Sequence, residues 1–218
     1  MNISKIVNGI FIVSLFVFSI LPCCADMVPN NTEELPRLAI GLYQADKHLA
    51  IYSKPDFSSK IRFERDIDYS KLTDVKSDNM YAVLVPSKEL GYLYVTDISD
   101  DEEWLEVIIN KQTNQKGWVH KNDEFQFLSW IDFIDLYGRK YGLKRLLSND
   151  INIMGIYSNP SDNAQIISDL TNPKSIKLIS VEGEWVLVTV LDFSGNVTTG
   201  YIRWKAENGD IRIFPIVK

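Results

Sequence analysis

Cysteine is almost absent from this sequence of 218 residues, and its two copies, Cys23 and Cys24, are adjacent. They follow an apolar run from Ile6 to Leu21 that begins after a lysine. A basic residue, a short apolar segment and small residues before a polar stretch are typical of a secretory signal, and the run is short for a membrane span. We therefore predict a signal peptide over residues 1–25, with cleavage after Ala25 and export to the periplasm or cell surface.

A second interpretation treats the stretch from Leu21 to Cys24 as a lipoprotein site, with an acyl chain on Cys24 that tethers the protein to a membrane. Cleavage after Ala25 would instead remove both cysteines. The mature chain would then have no disulfide, no cysteine nucleophile and no thiolate metal site.

Histidine is also scarce, with His48 and His120 the two in the sequence. Neither belongs to a His-x-x-x-His spacing, and no Gly-x-Ser-x-Gly elbow or phosphate-binding glycine loop is present, so the standard zinc and serine hydrolases lack their parts. We interpret both histidines as solvated loop residues next to lysines. We expect no enzyme activity, no catalytic residue, no metal and no cofactor.

Acidic residues outnumber basic ones by 29 to 23, which gives a net charge of −6. An acidic surface releases no counterions from nucleic acid, so nucleic acid is disfavoured as a partner. The acidic run from Asp97 to Glu103 has oxygen ligands that calcium prefers. It lacks the glycine and the alternation of a calcium loop, and we interpret it as a hairpin loop.

The rest of the chain is mainly β in pattern. Short runs of apolar and β-branched residues are separated by Asp, Asn, Ser, Gly and Pro, which is typical of small all-β units. Residues 26–37 are polar with two prolines and predict a disordered lead-in. Between the β regions, Ser129 precedes a carboxylate at capping distance and Gly142 follows basic residues, which predicts a helix over residues 129–141.

Three short motifs occur twice, in the same order. Ile51–Pro55 matches Ile156–Pro160 in four of its five residues, Glu103–Val107 resembles Glu184–Val188, and Gly117–Val119 resembles Gly200–Ile202. The first copy is longer between its proline and its first tryptophan, because of extra residues at about 66–93. Since this excess contains strand-like runs, we predict an insertion with its own hairpin.

At these motifs the chain resembles bacterial SH3 domains, whose pattern is an apolar strand that ends in a proline turn, a later Gly-Trp-aliphatic strand and a closing Gly-Trp-Val strand. The resemblance implies two small SH3-like β-barrels connected by a short α-helix. The first barrel would span residues 38–127, the linking helix 128–143 and the second barrel 144–218. Tyrosines and other residues replace some positions of the usual pattern, as in Tyr52 and Tyr157.

The resemblance also implies a noncatalytic binding module that recognises peptide or peptidoglycan fragments through an aromatic groove. Trp104 shares a strand face with a glutamate, and we expect it to be partly exposed, either in a groove or in packing. The candidate ligand-binding residues are Tyr52, Trp104, Trp118, Tyr157, Trp185 and Tyr201. An envelope protein gripped by the insertion is an alternative partner, and a carboxylate-based cell-wall hydrolase is another alternative function.

Overall fold

The computed structural model of the protein describes residues 26–71, 79–148 and 154–218. The predicted signal peptide, with both cysteines, lies outside the described residues. The chain is mainly β, as predicted, with two antiparallel sheets and one α-helix. None of the described helices has the length and apolar character of a membrane span.

The first sheet is built from the amino-terminal half of the described chain. Its strand order is β3-β2-β7-β6-β5-β1-β8, and β4 pairs with β5 beside this path. The strands are β1 Gly41–Gln44, β2 His48–Tyr52, β3 Ile61–Asp66, β4 Tyr81–Val85, β5 Leu90–Ile98, β6 Trp104–Asn110, β7 Gln115–His120 and β8 Phe127–Ser129.

The second sheet follows the helix α1, Trp130–Tyr141, and has the strand order β11-β10-β14-β13-β12-β9-β15. Its strands are β9 Leu143–Arg145, β10 Gly155–Tyr157, β11 Ile166–Asp169, β12 Pro173–Glu182, β13 Trp185–Asp192, β14 Val197–Arg203 and β15 Ile213–Pro215.

The two sheets have the same topology, strand for strand, once β4 is set aside. The repeated motifs occupy matching strands: the pentapeptides end β2 and β10, the Trp motifs begin β6 and β13, and the glycine motifs lie in β7 and β14. Even the turn after the pentapeptide repeats, since Ser53 N donates to Lys60 O at 2.8 Å and Ser158 N to Gln165 O at 2.9 Å. The sequence repeat therefore corresponds to a repeat in three dimensions.

The insertion supplies β4, which has no counterpart among the described strands of the second sheet. It forms a hairpin with β5, and all five of its residues are buried. Residues 72–78 of the insertion lie outside the described residues. What the structure describes of β4 is therefore part of the core and is not available to grip a partner.

Residues 26–37 differ from the disordered lead-in that the sequence predicts. The backbone of Met27 pairs with Leu84 of β4 at 2.8 and 2.9 Å, and Thr32 N donates to Leu147 O at 2.8 Å. Leu35 is only 5% exposed. These backbone bonds and this apolar burial hold a polar, proline-containing segment in place, and composition alone does not reveal such long-range partners.

The helix begins and ends as predicted. Ser129 caps its first turn, with Asp132 N donating to Ser129 Oγ at 3.2 Å, and Gly142 ends it at a positive φ of 82°. Both features follow from local chemistry, because the serine oxygen accepts an otherwise unpaired N–H and glycine has no Cβ to oppose a positive φ.

The helix packs between the two sheets through Phe133. This side chain is 0% exposed, and its ring centroid lies 5.6 Å from that of Tyr92 in β5 and 5.4 Å from that of Phe214 in β15. One hydrophobic cluster accordingly contains residues of both sheets and of the helix. The two halves therefore share this cluster, while a second cluster, which includes Tyr43, Leu49 and Val107, belongs to the first half.

The corner at which each repeated pentapeptide meets its neighbouring strand requires glycine. A Cβ on Gly117 would lie 2.6 Å from Ile51 Cγ2 and 2.7 Å from the carbonyl oxygen of Tyr52. A Cβ on Gly200 would meet the equivalent two atoms of the second copy, each at 2.7 Å. Real Cβ atoms do not approach backbone this closely, so any side chain here would push β2 from β7, or β10 from β14.

We predict that Gly117→Ala and Gly200→Ala each destabilise the protein by about 1–3 kcal/mol, because the added methyl overpacks a backbone contact. Urea unfolding would measure the loss. Gln115→Ala, at an exposed site on the same strand as Gly117, is the control and should change stability by less than about 0.5 kcal/mol. Equal stability of the glycine variants and the control would contradict the steric account.

Candidate functional site

The repeated corner places a tyrosine edge against a tryptophan in both copies. The rings of Tyr52 and Trp104 have centroids 5.5 Å apart at 87°, and those of Tyr157 and Trp185 are 5.2 Å apart at 84°. This edge-to-face geometry is favourable for aromatic pairs. Four of the six predicted ligand residues thus form two equivalent pairs.

Two further rings complete the corner in the first copy. Phe57, in the turn after the pentapeptide, lies 4.7 Å from Trp104 and 4.9 Å from His120 between ring centroids. His120 lies 5.0 Å from Trp104, edge-on. We name Tyr52, Phe57, Trp104 and His120 the first-copy cluster. Phe57 is its most open member, with 63% of its surface exposed.

The prediction that Trp104 is partly exposed is wrong, because this side chain is only 4% exposed. It lies on the outer face of its strand, opposite the core residue Leu105, as the alternation of the sequence indicates. The rings of Phe57 and His120 cover it there. A ligand at this corner would therefore meet Phe57 first.

The second copy has a different chemistry on the same frame. Asp162 takes the place of Phe57 in the turn, and Arg203 takes the place of His120, since Arg203 pairs with Trp185 in the strand register as His120 pairs with Trp104. We name Tyr157, Asp162, Trp185 and Arg203 the second-copy cluster.

Arg203 covers its tryptophan with charge. Its guanidinium lies 5.9 Å from the ring centroid of Trp185 and forms ion pairs with Asp162 at 2.8 Å and Glu184 at 2.7 Å. The hydrogen bond to Glu184 raises the pKa of Arg203, with a further contribution from Asp162. Cation–π contact and two carboxylates thus satisfy this corner internally.

Trp118 and Tyr201, the remaining predicted residues, lie on the same outer faces but outside the clusters. Trp118 is half-buried opposite Glu106, which forms an ion pair with Lys116 at 2.9 Å. The Tyr201 hydroxyl is 3.4 Å from a carboxylate oxygen of Glu182. Each is the cross-strand neighbour of its cluster's tyrosine, Trp118 of Tyr52 and Tyr201 of Tyr157, so both border the corner.

A cleft of about 240 Å³ opens beside the first-copy cluster. Asn122 organises its wall: its backbone N–H donates to the Tyr43 hydroxyl at 2.7 Å, and its side-chain amide donates to Asp46 at 2.7 Å. The lining residues are Tyr43, Asp46, His48, Leu49, Ala50, Tyr52, Phe57, Glu64, Val119, His120 and Asn122. The cleft therefore combines an aromatic rim with carboxylates.

The second-copy cluster also borders a cleft, of about 280 Å³, but its wall is ionic. Arg203, Asp162 and Glu207 line it together with Arg212, and Arg203 lies 3.5 Å from Glu207. No aromatic ring equivalent to Phe57 is available there, because Asp162 occupies that position. The two corners therefore differ in their chemistry.

The prediction that both histidines lie in loops is wrong, because each lies in a strand. His48 lies in β2, and His120 ends β7. Sequence reasoning also missed Phe57 and His120 as site residues. The signals were an aromatic two residues after the repeated proline, in a turn expected to be polar, and a period-two relation between Trp118 and His120 on one strand face.

The acidic run from Asp97 to Glu103 forms the end of β5 and the loop of the β5–β6 hairpin, as predicted. Its carboxylates are used locally: Asp101 accepts from the backbone of Glu103 at 3.1 Å and from the hydroxyl of Ser99. In the described part of the chain, no group of three or more His, Cys, Asp or Glu side chains is arranged to hold a metal ion.

In comparisons with known proteins, the sequence matches no protein-family model and no curated protein.

We predict a raised pKa for His48, because Asp66 accepts from its Nδ1 at 2.8 Å and Glu64 and Asp46 add negative potential. Its folded pKa should exceed the ordinary value of 6.5. The stabilisation is complete below the unfolded pKa and is lost as the pH rises through the folded one. An NMR titration of the imidazole would measure the midpoint, which Asp66→Asn should lower. The remote change Asp162→Asn should not move it, and an unchanged midpoint in Asp66→Asn would contradict the assignment.

Proposed function

We propose that the protein is an exported, noncatalytic binding module of the bacterial envelope, and that its first-copy cluster recognises peptide or peptidoglycan fragments. The observation that carries this proposal is Phe57, a phenylalanine that is 63% exposed on an otherwise packed set of rings beside an acidic cleft. A large exposed aromatic next to a concavity is typical of a recognition site.

The repeated topology supports an SH3-like architecture for each half. In both sheets, the strand that carries the pentapeptide pairs with the strand that carries the glycine at one residue pair. The pairs are Tyr52 with Trp118 between β2 and β7, and Tyr157 with Tyr201 between β10 and β14. We propose that these crossings curl each sheet into a small SH3-like barrel. The corner turn and the outer face of the glycine strand then form one concave surface, as an aromatic peptide-binding groove requires.

The chemistry of the first corner favours a ligand with both an apolar or ring-shaped part and an amino group. Phe57 and Tyr52 offer aromatic surface for stacking. Asp46 and Glu64 line the adjoining cleft, so an ammonium group would gain both carboxylate and cation–π attraction. Amino-terminated cell-wall peptides have this combination.

Strand β4 of the insertion is buried, which favours the first-copy cluster over the insertion as the binding site. An insertion that grips a partner must expose apolar or charged surface, whereas Tyr81 to Val85 are each at most 1% exposed. The strand of the insertion is thus buried, whereas Phe57 of the first-copy cluster is exposed.

We predict that Phe57→Ala weakens binding of a disaccharide-tetrapeptide cell-wall fragment by about tenfold, because loss of one aromatic contact costs roughly 1.4 kcal/mol. Tryptophan fluorescence would follow the titration, since Trp104 lies beneath Phe57. Asp162→Ala, at the equivalent position of the second copy, is the matched control and should keep the affinity of the unmodified protein. No saturable signal, or equal losses in the two variants, would overturn the proposal.

A further inference from the structure

A cleft of about 830 Å³ lies away from both corners, between the carboxyl end of α1 and the strands β9 and β12. Its volume is in the range of pockets that enclose a small organic ligand. None of the predicted site residues lines it. It is therefore a separate candidate for binding.

The cleft exists because β9 and β12 diverge. Their register has one residue pair, Leu143 with Ile176, and the strands separate from there. The equivalent strands of the first sheet, β1 and β5, pair over four residues from Gly41 with Val95 to Gln44 with Tyr92. The same frame is thus closed in one copy and open in the other.

The charge of this cleft is opposite to that of the whole protein. The chain has a net charge of −6, yet the lining contains six cationic residues and no carboxylate. The six are Arg139, Lys140, Lys144, Arg145, Lys174 and Lys177. Placing so many like charges together costs self-repulsion, which an anion would relieve.

Several of these cations have little internal compensation. Lys174 and Lys177 are exposed, and neither forms an ion pair with any residue that the structure describes. Lys144 is partly buried and donates to the neutral Asn30 at 2.8 Å; burial lowers its pKa, and the charge of Glu34 opposes this in part. Arg139 is the exception, since it pairs with Asp135 at 2.8 Å outside the lining.

Tyr141 lies between two lysines at one end of the cleft. Lys140 and Lys88 both lie 5.1 Å from the centroid of its ring. Hydrogen bonds from Lys140 and then Lys88 lower the pKa of the Tyr141 hydroxyl. The phenol is therefore easier to ionise here than in water, as expected where cations outnumber anions.

Apolar side chains contribute five further lining residues. Leu143 and Ile176, at the strand junction, are nearly fully buried, and Leu178 and Ile216 are partly buried beside them. Leu147, also in the lining, is 66% exposed. An exposed leucine near such a junction leaves apolar surface for a ligand to cover.

We propose that this cleft binds an aliphatic phosphate, with the phosphate among the lysines and the aliphatic chain against the strand junction. Lysine binds phosphate as a point charge, and several lysines suit a dianion. Leu147 and Leu178 would lose exposed apolar surface to the chain. The ligand could be a soluble molecule or the headgroup of a membrane lipid, which share this chemistry.

Isothermal titration of the purified protein with octyl phosphate tests the proposal. We expect saturable binding that weakens with added salt, at least tenfold weaker binding of inorganic phosphate, and none of octyltrimethylammonium. Absence of saturable heat with octyl phosphate, or equal affinity for inorganic phosphate, would overturn the proposal.

Charge reversal locates the binding. The double variant Lys174→Glu, Lys177→Glu should lose at least tenfold in affinity for octyl phosphate, whereas Lys54→Glu, Lys60→Glu, with the same change in net charge at exposed sites of the first copy, should lose less than threefold. Equal losses would attribute binding to net charge alone and overturn the assignment. Cosedimentation with phosphatidylcholine vesicles that contain phosphatidic acid distinguishes the sources: retention indicates a lipid headgroup, and its absence a soluble ligand.

Discussion

The close approach of two backbones at the glycine of each corner is the constraint on which the rest of the structure depends. Because Gly117 has no Cβ, the carbonyl of Tyr52 comes within van der Waals distance of β7, and the strand then turns. That turn brings the tyrosine ring onto Trp104 and places the following loop over it. Gly200 does the same for the second copy.

Once the frame is fixed by glycine, the corner can change its chemistry at little cost. The turn residue and the strand residue beside the tryptophan are surface positions, and their exchange leaves the core contacts intact. Phe57 with His120 gives an aromatic surface, whereas Asp162 with Arg203 gives a closed ionic one. The two copies of one frame thereby differ in the chemistry of the corner, and they differ also in the pairing of β1 with β5 and of β9 with β12.

The sequence predicts what depends on local chemistry or on repetition. The two ends of the helix, at Ser129 and Gly142, follow from capping. The strands follow from the alternation of apolar residues, and the equivalence of the pentapeptides follows from the order of the repeated motifs. The burial of Trp104 was missed, because its cover comes from Phe57 and His120, which are distant in sequence. The order of residues 26–37 was missed for the same reason. Which residues meet through tertiary packing cannot be predicted from local pattern alone.

Charge is distributed unevenly between the two clefts, which the net charge of the chain does not show. The corner cleft of the first copy is lined by Asp46 and Glu64 together with His48, while the cleft beside α1 contains cations and no carboxylate. In water, charges more than about 8–10 Å apart interact weakly at physiological salt, so each cleft acts through its own local potential. A cationic ligand is therefore attracted to the corner cleft and repelled by the cleft beside α1, whereas an anionic ligand is repelled by the corner cleft and attracted to the cleft beside α1. Phe133 packs against both sheets, so the two halves that carry the clefts are joined through one packing contact.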